Sequence, residues 1–160
     1  MEICLSRVKV DFTEGFSQLG RFSESGAKIA AKVLKEEIVR EITEGRSPVK
    51  KAGGRFVRYS TSYKRAIDKG YYTQFNKRKR PVNLRLSGKL LSSIYTKPSG
   101  KSKFFIGFNN KLADIHNRQG AGRSQTVRRM LPTNKGETFT DSIIFAVGIS
   151  LQRVKRKIFR

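Results

Sequence analysis

The chain has 160 residues, of which 37% are hydrophobic and 29% are charged, and its formal net charge is +23. This length and apolar content predict one domain over residues 1–160 with a single buried core, and they argue against wholesale disorder. The charge is unevenly distributed, since residues 1–45 have a net charge of −1 and residues 46–160 have a net charge of +24. A positive charge of this size exceeds that of an ordinary solvated surface and predicts a polyanionic neighbour.

The sequence carries no mark of a membrane or secreted protein. Cys4 is the only cysteine, so an internal disulfide is impossible, which fits a reducing compartment. No signal-peptide pattern opens the chain, and the longest strongly apolar run, Ile143 to Ile149, is far too short to cross a bilayer. We therefore expect no membrane partner, and we expect synthesis and assembly in the cytoplasm.

The first 45 residues predict a strand, a connector and a long helix. Apolar and polar residues alternate from Ile3 to Phe12, as in a β-strand, and Gly15 to Gly20 indicates a connector, so residues 1–24 hold these two elements. From Ser25 to Glu44 apolar side chains recur at helical spacing, and Gly45 ends the helix. The residues on its predicted apolar face are Ile29, Val33, Leu34, Ile38 and Ile42.

Residues 46–82 show no clear period and predict a long, basic, projecting loop or extended hairpin. Cationic and aromatic side chains are interleaved here. That composition suits a phosphate backbone with stacked bases, and it equally suits a protein–protein interface rich in tyrosine and arginine. The candidate subunit-contact or DNA-contact residues, including two from a later loop, are Arg55, Arg58, Tyr59, Tyr63, Lys64, Arg65, Tyr71, Tyr72, Lys77, Arg78, Lys79, Arg80, Arg128 and Arg129.

The middle of the chain predicts a short helix followed by a β-hairpin. Ser87 is placed to cap the helix, whose apolar residues share one face. Two strands, Ser93 to Lys97 and Lys103 to Phe108, flank a turn at Pro98 to Lys101. This pattern predicts antiparallel pairing.

The last third predicts a short helix, a basic loop and a closing helix. Lys111 to Gln119 forms the short helix, Gly120 ends it, and Ala121 to Lys135 is the loop. Thr138 and Asp141 resemble a capping box. The apolar positions of the closing helix are Ile143, Val147, Leu151, Val154 and Ile158. The predicted fold is therefore α+β, a small, mainly antiparallel sheet packed with a long N-terminal helix and a C-terminal helix, from which the basic loop projects.

The sequence offers no catalytic or metal site. His116 is the only histidine and has Asp114 as its only near acid, which is too few ligands for a metal. Only four acidic residues follow residue 45, too sparse for a magnesium site. Neither a G-x-S-x-G elbow nor a Walker-type loop is present. We expect no catalytic residue, no cofactor and no metal, and a structural role for His116 in a turn.

Several segments follow one another in a distinctive order over roughly residues 25–158. The most specific is Val82 to Ile94 (VNLRLSGKLLSSI), and the cation–aromatic stretch from Gly54 to Lys64 precedes it. An IGF strand, a turn from Ala113 to Gly120, and Arg128 to Pro132 ahead of the last helix complete the succession. This order resembles the neck, tail-completion and virion-morphogenesis proteins of tailed bacteriophages.

The resemblance implies a ring-forming subunit at the head–tail junction of a virion, without catalytic residues. Its implied partners are other copies of the chain, the portal or connector and tail proteins, and packaged double-stranded DNA nearby. The matching positions would be structural, with Leu84, Leu86, Leu90, Leu91 and Ile94 as packing residues and Gly88, Gly120 and His116 as turn residues. The interval from Tyr71 to Arg80 is more basic than the resemblance accounts for.

Two other classes of function stay open. A stand-alone basic nucleic-acid-binding protein, ribosome-associated or accessory to packaging, fits the density of cations. It lacks the aromatic RNP pattern, the paired Cys/His fingers and the GXXG clamp of known binding modules. An enzyme is the third class, and it lacks a recognisable site.

Overall fold

The computed structural model describes residues 7–11, 24–52, 54–75, 77, 79–82, 84, 88–99, 103–120 and 125–158. Within these residues the chain forms three strands and five α-helices. In order they are β1 (Arg7–Asp11), α1 (Glu24–Thr43), α2 (Thr61–Asp68), α3 (Lys89–Ser92), β2 (Ile94–Pro98), β3 (Lys103–Phe108), α4 (Lys111–Arg118) and α5 (Asp141–Ile158). A 3₁₀ turn at Thr73–Phe75 follows α2. The predicted α+β class is confirmed.

The three strands form one antiparallel sheet in the order β1-β3-β2. Val8 pairs with Ile106, and Ile94 pairs with Phe108, so the β2–β3 hairpin has the predicted position. The turn of this hairpin lies partly outside the described residues, as do the predicted start of the first strand at Ile3 and the connector. The sheet therefore consists of the two strands of the predicted hairpin and one strand from the N-terminal quarter of the chain.

Helix α1 packs across one face of the sheet and against α5. Its buried residues include Leu34, Ile38 and Ile42, as predicted, whereas Ile29 is 38% exposed and small alanines take its place in the packing. Gly45 ends the helix with φ +77°, because a backbone in that conformation lets the N–H of Arg46 reach the carbonyl of Glu41. The predicted end of α1 is confirmed.

The core lies between the sheet and the two long helices. Phe104, Ile106 and Phe108 are almost fully buried on the sheet, and Ile143 and Leu151 of α5, which packs on α1, belong to the same buried cluster. The last helix begins at Asp141, so the predicted capping box is wrong: the carbonyl of Thr138 instead accepts a 2.9 Å hydrogen bond from the backbone N–H of Lys50. The residue directly before the helix is Thr140, whose carbonyl accepts a hydrogen bond from the N–H of Ile144.

The predicted projecting loop or hairpin over residues 46–82 is not confirmed. Its first part is closed by an antiparallel bridge between Arg46 and Arg55, and its middle is the helix α2. Ser60 starts this helix, since its hydroxyl accepts a 3.4 Å hydrogen bond from the N–H of Tyr63. Phe56, which precedes α2, and Val82, at the end of the segment, are both buried in the core.

The apolar segment before the hairpin packs largely as predicted. Leu84, Leu91 and Ile94 are buried and Leu90 packs against the core, while Leu86 lies outside the described residues. Ser87, the predicted cap of α3, is likewise undescribed, and the residue directly before the helix is Gly88 in the left-handed conformation. None of the helices, as far as residues 7–158 are described, is long and apolar enough to cross a membrane.

Candidate functional site

The structure brings together candidate residues that are far apart in the sequence. Tyr59, Tyr63, Tyr72, Lys77 and Arg128 form one group, which we call the tyrosine–cation cluster. Four other candidates, Arg55, Arg58, Arg65 and Tyr71, are exposed on the surface. Three more, Lys64, Lys79 and Arg80, line a cleft beside the cluster. Arg78 lies outside the described residues.

The aromatic rings of the cluster are in direct contact. The rings of Tyr59 and Tyr63 are 5.0 Å apart in an edge-to-face arrangement, and those of Tyr63 and Tyr72 are 5.2 Å apart. The Nζ atom of Lys77 lies 4.8 Å from the centre of the Tyr59 ring, and the guanidinium carbon of Arg128 lies 5.7 Å from it. Both cations therefore lie within range of one aromatic ring.

Arg128 is the most unusual member of the cluster, because it is only 7% exposed. Its Nε atom is buried with no hydrogen-bond partner in the described part of the chain, and its Nη2 atom reaches the carbonyl of Val57 only at 3.5 Å. Burial lowers the pKa of Arg128. A buried guanidinium with an unused donor is costly unless an anion completes it.

Burial and repulsion also perturb the neighbouring groups. Burial, together with the charge of Arg128, lowers the pKa of Lys77 to about 8. Burial raises the pKa of Tyr59 to about 12, and it also raises the pKa of Tyr63. The two tyrosines therefore stay neutral at physiological pH and supply no negative charge to the two cations.

His116 lies on helix α4 and not in a turn, so the predicted turn position is wrong, and it borders the cluster. Burial, and then the charges of Arg128 and Lys77, lower the pKa of His116 to about 4. Its Nδ1 atom is buried without a hydrogen-bond partner among the described residues, and its carbonyl accepts a 2.7 Å hydrogen bond from the backbone N–H of Arg128. The imidazole is thus uncharged at physiological pH and lies at one side of the cluster. The helix that carries it, α4, ends two residues before Gly120.

Asn117 fixes the segment that carries Arg128, and sequence reasoning missed it. Its Oδ1 atom accepts hydrogen bonds from the N–H groups of Met130 and Leu131, and its Nδ2 donates to Thr133. Arg129 strengthens the same junction by donating to the carbonyl of Asn117 and pairing with Glu137. Arg129 is therefore engaged inside the chain. The only sequence signal was an asparagine, a poor helix former, near the end of a helix.

A cleft of about 630 Å³ opens next to the cluster. Among the described residues, its lining includes Ile67 and four cationic residues, which are Lys64, Lys77, Lys79 and Arg80. Lys79 has a carboxylate partner, since its Nζ lies 2.6 Å from Asp68. Lys77 belongs to both features, so the cleft and the cluster are continuous through this one side chain.

A second cationic surface occupies the sheet face opposite α1. Lys9, Phe105 and Lys97 are paired across the three strands, and the guanidinium of Arg7 lies 5.2 Å from the centre of the Phe105 ring. Sequence reasoning did not single out this face. Its signal was the polar half of the alternation in β1, which places Arg7 and Lys9 on one side of the strand.

The carboxylates that the structure describes are paired with cations of the same chain. The eight carboxylates whose side chains the structure describes each lie within 4.0 Å of a cationic group of the same chain. They are Glu36, Glu37, Glu41, Glu44, Asp68, Asp114, Glu137 and Asp141. The surplus of cations must therefore be balanced largely by other molecules.

Binding an anion is the chemistry for which these side chains are suited. Across the described residues, no three His, Cys, Asp or Glu side chains are grouped so that they could hold a metal ion.

Comparison with protein-family models, curated proteins and solved structures finds no match to this chain.

Proposed function

We propose that the chain is a structural protein of a tailed-bacteriophage virion. In this role it is a ring-forming neck or tail-completion subunit at the head–tail junction, joins tail to head around the DNA channel, and performs no reaction. Its partners are other copies of itself, the portal or connector and the tail proteins. The observation that carries the proposal is the ordered succession of segments from Gly54 to Pro132.

The packing of those segments supports the proposal. Val82, Ile94, Ile106 and Leu131 come from different parts of the succession, and all belong to one buried cluster. The resemblance therefore rests on the residues that build the core.

Exposed apolar side chains provide a contact surface for the ring. Ile144 is 48% exposed and Phe145 is 70% exposed, and both lie in the first turn and a half of α5. A ring of identical subunits needs two different surfaces that fit each other on neighbouring copies. We assign Ile144 and Phe145 to one of these surfaces, because large exposed aromatic residues are typical of such contacts.

The charge supports a position beside DNA. The net charge is +23, and every described carboxylate is already paired within the chain, so packaged DNA is a natural source of counter-charge. Contacts to the backbone would position the subunit without reading the base sequence.

Native mass spectrometry and negative-stain electron microscopy of the purified chain test the ring. We expect a closed oligomer of one defined size in the wild type. The double substitution Ile144→Ser and Phe145→Ser should yield folded monomers, whereas Leu112→Ser, which removes a side chain 61% exposed on α4, should leave the ring intact. A wild-type chain that stays monomeric at micromolar concentration would contradict ring formation.

A stand-alone nucleic-acid-binding protein is the second candidate, and the cationic cleft favours it. The two candidates differ in how DNA binding depends on salt. A dedicated nucleic-acid-binding protein is monomeric and binds DNA tightly at low salt. Its affinity for DNA then falls steeply as the salt concentration increases. A ring subunit binds DNA weakly, loses it at moderate salt and self-associates. Fluorescence anisotropy over a salt series, with the oligomeric state measured in parallel, separates them.

A further inference from the structure

The face of the sheet that points away from α1 carries aromatic and cationic side chains. On the α1 face, Phe104, Ile106 and Phe108 are buried in the core, and successive side chains of a strand point to opposite faces. The other face, which we call the open sheet face, therefore carries Arg7, Lys9, Tyr95, Lys97 and Phe105. Its three cations are exposed to solvent and its two aromatic side chains are half-buried, so a ligand can reach them.

The strand register places these side chains in two rows. Lys9, Phe105 and Lys97 lie directly opposite one another across the three strands, and Arg7 and Tyr95 belong to the next row. Tyr95 is therefore diagonal to Phe105, and positions related in this way are about 7–8 Å apart. Two aromatic side chains thus lie next to each other, and a lysine lies on each side of Phe105.

The fold does not use these two aromatic rings for its core. Among the described residues, the buried core cluster and the apolar side chains packed against it include neither Tyr95 nor Phe105. The guanidinium carbon of Arg7 lies 5.2 Å from the centre of the Phe105 ring, within range of a cation–π interaction. Because a guanidinium is planar, a base can stack on it as on an aromatic ring. The open sheet face therefore offers three flat groups for stacking.

The open sheet face has an excess of positive charge. A further row of the register pairs Asp11 with Lys103, so this face has one acidic position and four basic positions, which are Arg7, Lys9, Lys97 and Lys103. The ion pairs of the eight described carboxylates involve none of Arg7, Lys9 and Lys97. Basic positions on all three strands favour an extended anionic ligand.

We propose that the open sheet face is a binding site for single-stranded nucleic acid. Bases stack on Tyr95, on Phe105 and on the guanidinium of Arg7, a surface large enough for about two or three bases. Lys9 and Lys97 contact phosphates on the two sides of Phe105. The site needs neither ring formation nor the tyrosine–cation cluster. It goes beyond the proposed function, in which the neighbouring nucleic acid is duplex DNA.

The aromatic side chains favour a single strand over other polyanions. A duplex keeps the faces of its bases stacked inside, and its major groove admits a helix or a two-stranded ribbon, not the face of a three-stranded sheet. A single strand exposes its bases and its phosphates together. An acidic peptide would contact the lysines, but its carboxylates have no flat ring to stack on Tyr95 or Phe105.

The experiment is fluorescence anisotropy of the full chain with a labelled 12-nucleotide single strand of mixed sequence, compared with the duplex of the same sequence. The titrations cover a series of salt concentrations, because a chain of charge +23 binds any nucleic acid at low salt. Above about 0.2 M salt we expect the single strand to bind about tenfold more tightly than the duplex. Equal affinities for the two would overturn the proposal.

Substitutions that keep the charge separate stacking from electrostatic attraction. Phe105→Leu and Tyr95→Leu should each weaken single-strand binding about tenfold and leave its salt dependence unchanged. Tyr71→Leu is the matched control, since it removes an aromatic side chain that is 66% exposed outside the sheet, and it should have no effect. Wild-type affinity in both sheet variants, or an equal loss in Tyr71→Leu, would contradict a stacking site on this face.

The lysines should give the opposite result. Lys9→Gln and Lys97→Gln should each reduce the slope of log affinity against log salt concentration by about 0.7, the value for one phosphate contact of a single strand. Lys135→Gln, which removes an exposed lysine outside the sheet, should leave that slope unchanged. The same slope in all three variants would mean that only the net charge of the chain acts, and it would overturn the proposal.

Folding is checked by the melting temperature of each variant. Tyr95 is on the edge strand β2, so Tyr95→Leu keeps the test valid if Phe105→Leu, on the central strand, should unfold. A chain that binds a poly-glutamate peptide but no single strand would overturn the proposal in favour of an acidic protein partner. A monomer that binds the single strand through this face would count against the proposed ring alone.

Discussion

The side-chain oxygen of Asn117 accepts a 2.7 Å hydrogen bond from the backbone N–H of Met130. A second bond of 2.8 Å from Leu131 reaches the same oxygen, and Asn117 is fully buried. One residue of α4 thus satisfies two buried backbone donors of the segment that carries Arg128. The position of the tyrosine–cation cluster depends on this junction, since Tyr59 and Arg128 come from distant parts of the chain.

Removing this amide should destabilise the fold strongly. Asn117→Ala leaves two backbone N–H groups unpaired in the core, and we expect a loss of about 3 kcal/mol in the free energy of unfolding, measured by urea denaturation. Asn110→Ala, which removes the exposed N-cap of the same helix, should cost only about 1 kcal/mol. Equal losses in the two variants would show that the buried amide has no special role.

Two glycines with the same backbone conformation should differ in their tolerance of a side chain. Gly88 and Gly120 both have φ above +75°, but a Cβ at Gly120 would lie 1.9 Å from the carbonyl oxygen of Gln125, whereas one at Gly88 meets nothing within 4 Å. We expect Gly88→Ala to lower the free energy of unfolding by about 1 kcal/mol. Gly120→Ala should lower it by at least about 3 kcal/mol, because the backbone must move as well. Thermal unfolding of the two variants decides this.

His116 should remain neutral well below the pH at which a free imidazole is protonated. Because its pKa is about 4 in the folded chain and 6.5 in its ordinary state, the unfolded chain binds more protons between these values. Stability should therefore fall as the pH is lowered from about 6.5 to about 4, and His116→Gln should remove that part of the slope. Burial is the main cause of the lowered pKa of His116, and the positive charges of Arg128 and Lys77 add to it.

NMR measures this titration directly, since the chain has a single histidine. The imidazole resonances should move with a midpoint near pH 4. A midpoint near 6.5 would mean that the cluster is open to water and that its cations do not act on His116.

The basic run after α2 should matter for assembly and not for folding. Replacing Lys77, Arg78, Lys79 and Arg80 with Ser removes four cations and leaves the core untouched, so circular dichroism and the melting temperature should be nearly unchanged. Particle assembly or tail joining should be impaired, as counted by electron microscopy of lysates. Particles that assemble and infect normally would show that this run is only a solvated surface.

The elements that could be predicted from sequence are those whose pattern is local. Helix α1 has a regular apolar face and a terminating glycine, and the β2–β3 hairpin has a Pro-Ser-Gly turn between two apolar runs. Helix α2 was missed because it is only eight residues long and buries no residue fully. Its apolar side, Tyr63, Ala66 and Ile67, covers a single turn, which is too short to show a helical period among the surrounding cations.

The candidate site was predictable only in part, for a different physical reason. The composition of the region around Tyr59 identified most members of the cluster, but not their partners or their burial. Burial of Arg128 depends on Asn117 and on Ser47, whose hydroxyl donates to the carbonyl of Arg129. Such contacts join residues far apart in the chain and leave no periodic trace in the sequence.

The location of the chain in a virus particle is the most direct test of the account. On the proposed function, purified particles of a phage whose genome carries this sequence should contain the chain in a fixed copy number by quantitative mass spectrometry. Gold-labelled antibody should mark one position between head and tail. Absence of the chain from such particles, with a monomer that holds DNA at high ionic strength, would contradict a structural role and favour a free nucleic-acid-binding protein.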